Sequence, residues 1–209
     1  MNPNQILRQW LDACPLVAII RGVTPEEAEA IGEAIFEGGI RMIEVPLNSP
    51  RPLESIAILA RLLGDKALVG AGTVLDPADV GRVRDAGGRL IVSPNTYAPV
   101  ISTAAEAGLV SMPGFFTPSE GFEAIRAGAT GLKLFPAEAA TPKVVSAQLA
   151  VLPRDVPLLV VGGVSPDNMQ PWRDAGASGF GLGSGLYKPG QSADITRSRA
   201  QAYVEGARR

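Results

Sequence analysis

Lys133 lies inside the apolar run Gly131-Leu132-Lys133-Leu134-Phe135, where a lysine is out of place. Side chains alternate across a strand, so Leu132 and Leu134 share one face while Lys133 and Phe135 take the other. An ammonium group is costly to bury, whereas the neutral amine can attack a keto carbon and form a Schiff base. At an unperturbed pKa of about 10.4, only roughly one lysine in 10³ is neutral at pH 7. Desolvation or a neighbouring cation lowers that pKa, and Arg21, at the end of the run Val17-Ala18-Ile19-Ile20-Arg21, is a candidate cation. In Arg41-Met42-Ile43-Glu44-Val45-Pro46-Leu47, Ile43 and Val45 share a face, so Glu44 points the other way. A tight Glu44–Lys133 pair would hold the ammonium form, so Glu44 suits proton transfer beside a substrate better than direct pairing. A structural salt bridge is the competing reading, and spacing alone does not choose between them.

The chain contains no histidine and one cysteine, Cys14. Nucleophile systems that need imidazole are excluded, as are histidine and thiolate metal sites. No cluster of carboxylates stands at the strand ends, so neither a metal nor a cofactor is expected. Acid–base work falls to Asp, Glu, Lys, Tyr, Arg or water. Lys66, Lys143 and Lys188 lie in turn, helix-start and loop contexts and are expected to be solvated, and Cys14 to be a small core residue.

Glycines give a third signal. Gly162-Gly163 and Gly183-Ser184 follow the last two apolar runs. Exposed backbone N–H groups there, each followed by a helix N-terminus, would suit a phosphate. Tight turns alone would also account for the glycines.

The elements that must position these residues form a repeat. Short apolar runs at 16–20, 41–47, 67–72, 89–94, 109–114, 131–135, 157–163 and 179–184 alternate with stretches of helical periodicity. Thr24-Pro25-Glu26-Glu27 reads as a capping box with proline in the first turn, and Ala28, Ile31 and Ile35 follow on one face. Asp76-Pro77 and Ser165-Pro166 repeat that entry. Gly39, Gly87, Gly108, Gly128 and Gly176 stand where helices end. Strict strand–helix alternation predicts a parallel sheet, and eight units predict closure into a (β/α)8 TIM barrel spanning 1–209 as a single domain. An extra N-terminal helix over 3–13 would plug its bottom. In such a barrel function sits at the C-terminal strand ends.

Length, charge and hydropathy bound the class. The 209 residues carry a net charge of −2 and are 46% hydrophobic. That balance does not suit nucleic-acid binding. No apolar run approaches the roughly 18–20 residues that span a bilayer. The N-terminal segment has neither the basic start nor the apolar middle of a signal peptide, so a cytoplasmic protein without a membrane partner is expected.

The stretches VAIIRGVTPEEA, IEVPLNSP, VGAGTVLDP, IVSPN, MPGFFTPSE, LKLFPAE, VVGGVSPDN and GLGSGLY, in that order, resemble the KDPG and KDPGal aldolase family from end to end. The resemblance implies a metal-independent class I aldolase, a homotrimer, that releases pyruvate and glyceraldehyde 3-phosphate from a phosphorylated keto acid. It implies Lys133 as the Schiff-base lysine and Glu44 as the general acid/base. Arg21, Thr73 and Pro94 would hold the pyruvate end, with Arg21 on the carboxylate, and Phe135 would wall the pocket. Gly162, Gly163, Gly183 and Ser184 would bind the phosphate. Gluconate-type members carry an arginine after the second strand, where this chain has Asn48 in PLNSP. That form resembles the phosphogalactonate aldolases, whose substrate differs in configuration at C4. Asn48-Ser49-Pro50 also reads as a helix cap, and FPAE resembles the gluconate type. Two other classes stay open on the residues alone. One is a phosphosugar-binding barrel without aldol activity; the other is an isomerase or epimerase using Glu44 as its base.

Overall fold

Proline stands in the first turn of every α-helix of the described residues but the last. Its fixed φ suits the first turn, where its missing N–H costs nothing. A computed structural model describes residues 2–208, so residues 1 and 209 of the expected 1–209 domain lie outside it. The elements run α1 (Pro3–Ala13), β1 (Leu16–Ile19), α2 (Pro25–Glu37), β2 (Met42–Pro46), α3 (Pro52–Leu63), β3 (Leu68–Gly72), α4 (Pro77–Asp85), β4 (Leu90–Val92) and α5 (Ala98–Glu106). They continue as β5 (Val110–Met112), β6 (Gly114–Phe115), α6 (Pro118–Arg126), β7 (Leu132–Leu134), α7 (Pro142–Leu149), β8 (Leu158–Val161), α8 (Gln170–Asp174), β9 (Gly179–Leu182) and α9 (Ala193–Arg208). Capping boxes form at Asn2, Thr24 and Thr117, and the Asp76 side chain caps α4. Gly39, Gly87, Gly108, Gly128 and Gly176 all adopt positive φ just past helix ends.

The strands are parallel in the order β5-β4-β3-β2-β1-β9-β8-β7-β6. The two ends of that order, β5 and β6, are parts of one run interrupted at Pro113. Proline has no N–H to give to a ladder, but its carbonyl still accepts from Lys133 N at 2.9 Å. Gly114 N donates to Ser93 O on the other side. The expected fifth run therefore appears as two segments, yet it bridges β4 to β7 and completes the barrel of eight.

Alternation sorts the apolar residues into two cores. Leu16, Ile43, Leu132, Leu134 and Phe180 point outward and pack under the helices. Val17, Met42, Leu68, Leu90 and Leu159 point inward, and Leu7, Trp10 and Leu11 of α1 join them from below. The N-terminal helix thus plugs the barrel bottom. Glu44 and Lys133, each between two outward apolar residues of its strand, are the buried charged side chains of the barrel interior among the described residues.

Candidate active site

The C-terminal mouth of the barrel opens into a cavity of about 640 Å³, within the roughly 300–1,000 Å³ common for small-molecule sites. Lys133 reaches it from β7. Arg21 follows β1, Thr73 follows β3, Pro94 follows β4 and Phe135 follows β7. Gly162-Gly163 and Gly183-Ser184 follow β8 and β9, and all of these line the same space. Glu44 lies below, where it and Lys133 line a small adjoining void with Val92 and Met112.

Lys133 is 8% exposed and Glu44 2%. Burial pushes the Lys133 pKa down. The Glu44 charge opposes that shift and the Arg21 charge assists it. Burial pushes the Glu44 carboxyl up to about 7, against the attraction of Lys133 and Arg21. Desolvation therefore outweighs mutual attraction for both groups. The two do not form an ion pair among those of the described residues, and Glu44 Oε2 is buried without a hydrogen-bond partner. Lys133 Nζ instead sits 4.8 Å from the centroid of the Phe135 ring, whose face favours a cation. A buried amine of lowered pKa and a buried carboxyl pushed up to about 7 can attack a carbonyl and move its protons.

Arg21 is held from two sides. Its Nη1 donates to Asn48 Oδ1, and both terminal nitrogens reach Thr73 Oγ1 at 3.4 Å. Thr73 is a β-branched residue at φ 55°. Such a backbone costs about 1–3 kcal/mol and concentrates at functional sites. Asn48 does not line the cavity and acts on Arg21. Nor does the Asn48-Ser49-Pro50 segment cap α3: that helix starts at Pro52 with Arg51 as its N-cap residue at φ 42°, and Ser49 Oγ accepts from Gly22 N at 2.9 Å. Proline at 50 and again at 52 defers the helix by one short turn.

The glycine loops also differ from expectation. Neither pair feeds directly into a helix. A turn over 166–168 precedes the five-residue α8, and a turn over 184–186 is followed by loop up to α9. Asn168 fastens the first loop by accepting from Ser165 N at 2.9 Å and donating to Gly163 O at 2.8 Å. Gly162 and Gly163 have φ of 117° and 65°. The Glu138 carboxylate lies over them, so that a Cβ on Gly162 would fall 2.0 Å from Glu138 Oε2. Glu138, Ser165, Tyr187 and Lys188 line the cavity and were not picked out as site residues from the sequence. Lys188, although exposed as expected, also lines the cavity. Its position after the last strand was the available signal. Among the described residues no group of three or more His, Cys, Asp or Glu could hold a metal ion, and no helix is long and apolar enough to cross a membrane.

Comparison with known proteins adds four findings. The family model for KDPG and KHG aldolase matches residues 7–199. A 2-dehydro-3-deoxy-6-phosphogalactonate aldolase of Escherichia coli (strain K12) is 46% identical over 96% of this chain and 98% of its own length. A probable enzyme of the same name from Rhizobium meliloti (strain 1021) is 51% identical over 91% of this chain and 90% of its own. Among solved structures, a native KDPGal structure superposes with a TM-score of 0.91 at 46% identity, covering 93% of this chain and 94% of that one.

Proposed function

The chain belongs to the KDPG and KHG aldolase family, and from that premise we propose that Lys133 and Glu44 carry out class I aldol cleavage of 2-dehydro-3-deoxy-6-phosphogalactonate to pyruvate and D-glyceraldehyde 3-phosphate. The observation that carries this reading is a buried lysine with a lowered pKa beside a buried carboxyl raised to about 7, unpaired, under one open cavity. The neutral Lys133 amine adds to the C2 carbonyl, and Glu44 donates the proton with which the carbinolamine hydroxyl leaves as water. Glu44, left as the carboxylate, takes the C4 hydroxyl proton as the C3–C4 bond breaks. Glyceraldehyde 3-phosphate leaves, and the electron pair stays as the enamine of pyruvate. Glu44 returns a proton to C3, and water releases pyruvate and restores the amine. Arg21, fixed by Asn48 and Thr73, pairs the substrate carboxylate beside Pro94. Gly162, Gly163, Gly183 and Ser184 offer the phosphate exposed backbone N–H groups and a hydroxyl, and Phe135 walls the space between the ends.

The substrate assignment is supported by the names of the relatives at 46% and 51% identity. Treatment with pyruvate and borohydride should leave a reduced adduct on Lys133, located by peptide mass spectrometry. Of the two C4-epimeric phosphorylated keto acids, offered side by side, the galactonate-derived one should be cleaved with the higher kcat/KM. An adduct confined to Lys143 or Lys188 would overturn the Schiff-base reading, and faster cleavage of the gluconate epimer would overturn the substrate.

The form we propose is a cytoplasmic homotrimer. Support for self-association comes from Leu75, Tyr97 and Phe116, large exposed apolar residues on the loops after the neighbouring β3, β4 and β6. Support for the cytoplasm is the metabolic class of the relatives.

A further inference from the structure

The wall that receives the Glu44 carboxylate is a glycine. Strands β2 and β3 run parallel, with Glu44 beside Gly70 and Pro46 beside Gly72. Val69 and Ala71 pack outward under the helices, and Leu68 packs inside the barrel. The inward positions next to Glu44 are therefore Gly70 and Gly72. A Cβ on Gly72 would fall 1.7 Å from Glu44 Oε2, 2.2 Å from Cδ and 2.4 Å from Oε1. Its three nearest atoms all belong to that carboxylate.

Gly72 is not among the residues with positive φ, so its backbone is one that any residue can adopt. What the position requires is empty space. Gly70 differs, because a Cβ there would fall 1.9 Å from the Leu90 carbonyl oxygen, which is backbone and cannot step aside. Nor do hydrogen bonds fix the acid, since Glu44 Oε2 is buried with no partner. The shape of the wall has to do it.

We propose that Gly72 is the positioning residue for Glu44: its bare Cα forms the recess that seats the carboxylate under the cavity and sets its reach toward the substrate. The inference rests on the reading of Glu44 as the proton-transfer group. The obstructed atoms are the far end of a flexible side chain, so Gly72→Ala should fold with the carboxylate displaced. A misplacement of about 1 Å can cost on the order of 100-fold in rate.

Three variants of the full chain test this: Gly72→Ala, Glu44→Gln, and Gly72→Ala combined with Glu44→Asp, whose carboxylate is one methylene shorter. In Gly72→Ala, borohydride trapping of pyruvate on Lys133 should persist, while solvent deuterium exchange at C3 of pyruvate slows about 100-fold. kcat should fall further than KM changes. The combined variant should regain part of the exchange rate, because the shorter acid clears the new methyl. Wild-type exchange in Gly72→Ala, or no recovery in the combined variant, would overturn the proposal. If Gly72→Ala fails to fold while the combined variant folds, the clash is with the carboxylate, as proposed. Failure of both would place it on the backbone and overturn the proposal. Unchanged exchange in Glu44→Gln would remove Glu44 from proton transfer and this inference with it, whatever Gly72→Ala does.

Discussion

Burial moves the Glu44 carboxyl up to about 7 and the Lys133 ammonium down, and the two shifts act on stability in opposite directions. For Glu44, the folded pKa lies above the unfolded value near 4.5. Its contribution is fully present below that unfolded value and is lost as pH rises through about 7. For Lys133, the contribution is present above the unfolded value of 10.5 and is lost as pH falls through its lowered folded value. Glu44→Gln removes the first and deepens the second, and both changes favour the variant as pH rises. Denaturant unfolding at pH 5 and pH 8 should therefore show the variant gaining on the parent by on the order of 1–3 kcal/mol at the higher pH. The same substitution removes the charge that opposes the lysine shift, so the pH profile of imine trapping should move toward acid. Lys133→Met should abolish cleavage, measured as kcat on the phosphorylated keto acid. Lys188, also on the cavity wall, is exposed in the loop after β9 rather than buried on a strand, and does not supply the amine. Both inward charges were legible in the sequence because strand alternation reports the face of each side chain. Glu138 over the glycines and Asn48 on Arg21 were not, because loop geometry carries no such period.

At the level of elements, capping residues and terminal glycines marked most helices correctly, since that chemistry is local. It failed at α3 and α8, where proline opens a turn and the helix starts two and four residues later. The fifth apolar run also read as continuous, although Pro113 splits its pairing into β5 and β6. The plug is the element most open to test. Leu7 of α1 is fully buried against the interior of the barrel. Leu7→Ala should cost about 2–5 kcal/mol in denaturant unfolding. Because the helix sits at the end opposite the mouth, substrate KM should change little in the folded fraction. A loss below about 0.5 kcal/mol, the range of surface substitutions, would show that α1 does not seal the barrel.

For the whole molecule, eight alternating runs announced a parallel barrel, and the unbroken pairing from β5 round to β6 agrees with it. What the repeat could not announce was assembly, because contacts between copies leave no period. If the loops after β3, β4 and β6 meet a second copy, Leu75→Glu with Phe116→Glu should lower the mass measured by light scattering and leave the circular dichroism unchanged. The seal beneath the barrel bears on the order in which the chain can fold. Leu7, Trp10 and Leu11 pack on Val17 near the start of the sequence and on Leu159 near its end. The seat for α1 exists only once strands from both halves of the chain have closed. Adjacent strand–helix units can form locally, but this helix must wait for the longest-range contacts of the fold. Its docking then belongs to the downhill side of the folding barrier, and loosening it should quicken unfolding more than it slows folding.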